Sequence, residues 1–73
     1  MQWIDAKDVK AGDVVWLPYG QLELHVWEIE QGDGVIVFAG SVRDPKRPGV
    51  RRQVSGAKHT PTSPLGLIRH EQA

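Results

Sequence analysis

The chain has 73 residues, nine Lys or Arg against nine Asp or Glu, no cysteine, and 40% hydrophobic residues. So short a chain is one domain whose folding hides only about 60% of the surface it exposes unfolded, and without cysteine it has neither a disulfide framework nor a thiolate zinc site to supplement the core. No apolar run approaches the roughly 18 residues of a membrane span, and the opening MQWIDAKDVK lacks the basic-then-apolar order of a signal peptide, so a cytoplasmic protein with no membrane partner is expected.

In chain order, Trp3 and Ile4 suit a short edge strand or a lid. Asp5 is placed to cap one helical turn, Ala6 to Ala11, with Val9 inward. Gly12-Asp13 turns into the apolar strand Val14-Val15-Trp16-Leu17, which Pro18 ends because it has no N–H for a ladder. From Gln21 the pattern alternates, with Leu22, Leu24 and Val26 on one face and Gln21, Glu23 and His25 on the other. The phase then slips to Trp27 and Ile29, which predicts a one-residue bulge or bend near Val26-Trp27.

Gln31-Gly32-Asp33-Gly34 suits a hairpin turn. The uncharged run Val35–Val42 reads as a central strand buried on both faces, with Gly40 permitting a kink or close approach by another backbone. Pro45, Pro48 and Gly49 make 43–49 an exposed cationic loop. Val50 to Ser55 reads as an edge strand guarded by its arginines, Val50, Arg52 and Val54 on one face and Arg51, Gln53 and Ser55 on the other. Gly56 to Pro64 reads as a loop or polyproline-like arm, and Leu65, Leu67 and Ile68 as a last short strand before a frayed tail, 69–73. The expected core is Trp3, Val14, Trp16, Leu22, Leu24, Val26, Ile29, Val35, Val37, Phe38, Val42, Leu65 and Ile68.

The stretch Val9-Lys10-Ala11-Gly12-Asp13-Val14-Val15, with Gly20 beyond it, resembles the opening of KOW-type SH3-like domains and of self-splicing Hint domains. A Hint enzyme's first-residue Cys or Ser and its Thr-x-x-His are missing, so that activity does not transfer. The resemblance implies an SH3-like fold. With five short strands and no segment long enough for an ordinary helix, the expectation is an all-β, five-stranded SH3-like barrel, a single domain over 1–68.

Charge divides along the chain. Residues 1–38 hold seven acids against Lys7 and Lys10, and residues 39–73 hold seven bases against Asp44 and Glu71. Arg43, Lys46, Arg47, Arg51 and Arg52, with Lys58, form a candidate phosphate-contacting ridge, and Tyr19 or Trp27 a candidate stacking ring. An exposed tryptophan beside arginines is equally the composition of a protein-interface anchor. Pro45-x-x-Pro48 and Pro61-x-x-Pro64 have polyproline-ligand spacing, although loop punctuation explains both.

No serine sits in a nucleophile elbow, and His25, His59 and His70 have no metal-ligand spacing, so no catalytic residue, metal or cofactor is assigned. A hydrolase or transferase would need two of His25, His59, Asp13 and Glu28 to converge. The expected function is a non-enzymatic protein-interaction module, read from its Val-, Gly-, Arg- and Pro-rich, Asn-free sequence as an accessory or bacteriophage protein docking on a larger component. The alternative is a nucleic-acid-binding barrel, and self-association would pair one copy's basic loop with another's acidic hairpin.

Overall fold

The computed structural model describes residues 1–47, 49 and 51–71. These form one antiparallel sheet of six strands, β1 (Gln2–Asp5), β2 (Asp13–Leu17), β3 (Leu22–Gly32), β4 (Val35–Arg43), β5 (Arg51–His59) and β6 (Pro64–His70), in the order β1-β6-β2-β3-β4-β5. The fold is thus all-β, but it has six strands where five were expected. Nor is it a closed barrel, since β1 and β5 are free edges with no ladder between them among the described residues. Among these residues no helix is long and apolar enough to cross a membrane.

The sheet nevertheless rolls strongly. β5 and β6 stand four strand spacings apart, about 19 Å on a flat sheet. The four residues joining them would span only about 17 Å if fully extended, and Pro61 and Thr62 lie in a turn. That link closes over a single 3₁₀ turn, Ala6–Asp8, where the Ala6 and Lys7 amides donate to the Ser63 and Pro61 carbonyls at 2.9 and 3.0 Å. Ala6 and Val9 thereby plug one end of the core. At the free edge of β5, His59 packs on Phe38 and on Tyr19 from the β2–β3 loop, with ring centres 5.1 and 5.5 Å apart. The Cα radius of gyration, 11.3 Å, matches the roughly 11 Å of a compact chain of this length.

The hairpin of β3 and β4 is the largest element, and it contains the bulge that the phase slip predicts. Val26 pairs with Gly40 and Glu28 with Ala39, so Trp27 is the extra residue. Inserting it returns Ile29 to the inner face opposite Phe38. Asp33 and Gly34 make the turn, with Gly34 at φ 69°. Burial of β4 on both faces is confined to Gly40–Val42, because Val35 is exposed and Val37 and Ala39 half-buried.

Three other expectations are corrected. Gly56 does not end its strand: at φ 89° it is a bulge residue between Ser55 and Ala57, and β5 continues to His59, where a loop was expected. β6 runs on through His70, into the stretch expected to fray, because Arg69 and His70 pair with Val14 and Asp13 of β2 beyond the end of the β1 ladder at Leu67; residues 72–73 lie outside the described residues. The core is Ala6, Val9, Val15, Leu17, Leu24, Val26, Ile36, Phe38, Val42 and Leu65, flanked by Ile4, Leu22, Ile29, Val54 and Leu67.

In β2 it is Val15 and Leu17 that join the main core cluster. Val14, expected in the core, is buried as well, but on the outer face, where it lies with half-buried Trp16, Glu23 and His25. In β4 Ile36 replaces Val35 and Val37, and in β6 Leu67 replaces the bulged Ile68. Trp3 is exposed.

Candidate functional site

The outer face of the sheet carries the polar side chains that the core phase turns outward. Across it, Trp16, Glu23, Arg43 and Arg51 fall in one row of paired residues, and Val14, His25, Ser41 and Gln53 in the next. The bulge lifts Trp27 clear beside the second row, leaving the ring half exposed and edge-on to His25, 6.4 Å between centres. An open groove of about 690 Å³ runs from this tryptophan past His25 and Gly12 to His70 and Glu71. A smaller hollow of about 150 Å³ continues from His25 and Glu71 to Arg43, Arg51 and Arg69, over buried Val14 and Ser41.

The wall opposite Trp27 is the end of β6, fixed by pairing with β2. The Gly12 amide donates to the Val26 carbonyl at 2.8 Å, and the Glu71 amide to the Gly12 carbonyl at 2.7 Å. Asp13 is buried at the head of β2; its Oδ2 accepts the Lys10 amide at 2.8 Å, and its Oδ1 lies 2.6 Å from His70 Nδ1. Glu71 reaches back over the groove, accepting from Arg69 Nε at 2.6 Å with its Oε2 3.7 Å from His25 Nδ1. The Arg69 hydrogen bond holds the Glu71 carboxyl below the usual carboxylate range and pushes the Arg69 guanidinium further up.

The residues selected from the sequence are dispersed by this geometry. Arg43 and Arg51 face each other across the β4–β5 ladder and line the hollow. Arg52 alternates to the opposite face, where with Arg47 it edges a separate depression over Leu22 and Val42. Lys46 lies in the intervening turn, its amide donating to Asp44 Oδ1 at 2.9 Å. Tyr19 is 70% exposed, but its hydroxyl shares a 2.5 Å hydrogen bond with His59 Nε2, and burial there raises its pKa. Replacing Tyr19 by Phe is expected to cost about 1 kcal/mol in urea denaturation, the worth of that bond.

Pro61 and Thr62 form a tight turn held on the 3₁₀ segment and not a free extended arm, and Pro48 of the other Pro-x-x-Pro spacing lies outside the described residues. Of His25, His59, Asp13 and Glu28, two of which would have to converge for catalysis, only His25 lines the groove and hollow of the outer face. Comparison with protein-family models, with curated proteins and with solved structures finds no match to this chain.

Sequence reasoning passed over Asp13 with His70, and His25 with Glu71. The first pair is 57 positions apart. Only the β2–β6 register brings them together, and no local pattern announces it. Among the described residues no group of three or more His, Cys, Asp or Glu is placed to hold a metal ion.

Proposed function

We propose that this chain is a non-enzymatic protein-interaction module that receives a segment of a larger protein across the outer face of its sheet. The observation that carries this reading is Trp27, half exposed on a β-bulge at the head of an open groove. A large ring held at low conformational cost beside a concave surface is the usual anchor of a protein interface. Behind it the groove offers acids and bases together, Glu23 and Glu71 among Arg43, Arg51 and Arg69. Mixed charge suits a polypeptide's side chains, whereas a phosphate backbone favours an uninterrupted cationic track. The split of Arg51 from Arg52 onto opposite faces argues the same way. The resemblance of the Val9–Val15 opening to KOW-type SH3-like domains accords with a binding role.

The test sets wild-type protein beside Trp27→Ala. As an exposed residue, Trp27 should be replaceable at a stability change within about 0.5 kcal/mol. A protein retained from nuclease-treated lysate of the source cells by the wild type, and lost by Trp27→Ala, is the expected result. Binding of DNA or RNA that falls steeply with salt and disappears in the double variant Arg47→Glu/Arg51→Glu would replace this reading with a nucleic-acid-binding one.

A further inference from the structure

We infer that Arg43 and Arg51 form a subsite for a single carboxylate, presented by an acidic side chain or chain terminus of the docked protein; the inference rests on the protein-binding reading of the outer face. Arg43 and Arg51 are direct partners across the β4–β5 ladder and line the same hollow. Like charges directly opposite on one face of a sheet repel. Among the described residues no carboxylate lies within 4 Å of either guanidinium, although Arg69 in the same hollow has Glu71 at 2.6 Å. Glu23, the neighbour of Arg43 in the row, makes no ion pair with it. Arg43 Nε is buried with no hydrogen-bond acceptor. Two facing cations with no carboxylate within reach are relieved by one group, an oxyanion set between the exposed ends of the guanidinium forks.

The surroundings narrow the class of anion. A hollow of about 150 Å³ holds one such group and not a nucleotide. Glu23 and Glu71 stand at its sides, so that with three arginines the hollow carries one net positive charge. That balance is matched by a monoanion, whereas the further charges of a polyphosphate would lie uncompensated beside Glu23 and Glu71. A planar carboxylate matches the guanidinium fork in charge and shape, and an extended segment laid along β3 would hold it near Arg43 while an apolar residue meets Trp27. Trp27 lies four positions beyond Glu23 along the strand, a rise of about 13 Å, which is four positions of an extended visiting segment.

The test needs no partner. Arginine Nε–H resonances of the full chain are followed by ¹H–¹⁵N NMR while sodium acetate, sodium phosphate or sodium chloride is added at matched ionic strength. Acetate should move the Arg43 resonance along a saturating curve with Kd on the order of 1–10 mM, leaving Arg47 in place. Arg51→Gln should weaken that response at least tenfold, raise the thermal midpoint in chloride by removing the repulsion, and abolish the further rise that acetate gives the wild type. Arg43 and Arg47 moving alike and linearly in all three salts would overturn the subsite. Saturation by phosphate without acetate would make it an inorganic-anion pocket and overturn the carboxylate assignment, and a lower midpoint for Arg51→Gln would remove the repulsion argument. Trp27→Ala leaves both guanidiniums in place and should keep the acetate response, so this result and the capture result stand or fall separately.

Discussion

Replacing Gly40 by Ala should lower stability by about 2–4 kcal/mol, a large part of what a domain of this size possesses. Gly40 lies on the inner face of β4, paired with Val26 and adjoining the Trp27 bulge. A Cβ built there would fall well inside contact with the His25 carbonyl and against the Val26 Cα. These are backbone atoms, so no side-chain rotation relieves the overlap, and β3 must lift from β4 at the bulge. At about 4–8 °C per kcal/mol for a domain this small, the thermal midpoint should fall by about 8–32 °C. Gly32→Ala is the control: nothing lies within 4 Å of its added carbon and its φ is not positive, so it should match the wild type. Circular dichroism melts of the three proteins decide the matter. A Gly40→Ala midpoint equal to that of Gly32→Ala would mean that β3 and β4 do not approach so closely. Because Gly40 pairs with Val26 beside the bulge, Gly40→Ala should also shift the indole N–H resonance of Trp27, tying the packing defect to the candidate docking surface.

How much of this was legible in the sequence depends on whether local pattern or long-range pairing decides a feature. The bulge at Trp27 was legible because alternation shows its own phase slip, and the close approach at Gly40 because a glycine in an otherwise bulky strand asks for a reason. The phase of β2 was not, since Val14, Val15, Trp16 and Leu17 are all apolar and only pairing with β3 and β6 decides which pair turns inward. Gly56 has the chemistry of a strand breaker, yet one positive-φ residue in a bulge lets the ladder resume beyond it. Arg51 and Arg52 belong to opposite faces by simple alternation, and grouping them as one ridge overrode a rule the sequence already displays. The groove itself was illegible: its wall is the end of β6, held by residues far away along the chain.

That wall can be moved by a single carbon at Gly12, which is the second large effect expected. Gly12 adopts φ 95° in the turn leading to β2, a region that costs an L-residue about 1–2 kcal/mol. A Cβ there would also overlap the Glu71 carbonyl and crowd the His70 ring. Gly12→Ala should therefore lose about 2–4 kcal/mol, strain and overlap together. Its first symptom should be local, because the bonds holding Glu71 and His70 to the turn are the ones displaced.

The carboxyl of Glu71 reports this. Its hydrogen bond to Arg69 lowers its pKa in the folded protein, so the stability it contributes is present above the ordinary carboxylate value of 4.5 and disappears as pH falls through the lowered one. In Gly12→Ala that pKa should move up to the ordinary value, read by carboxyl ¹³C NMR, and the acid limb of stability due to Glu71 should vanish with it. Glu71→Gln removes the same charge without straining the turn. If both variants raise low-salt affinity for a polyanion such as heparin, the carboxylate is what keeps the outer face from acting as a general cationic surface. If only Gly12→Ala does, displacement of the β6 end is responsible, and Glu71 is a strut whose charge is incidental to selectivity.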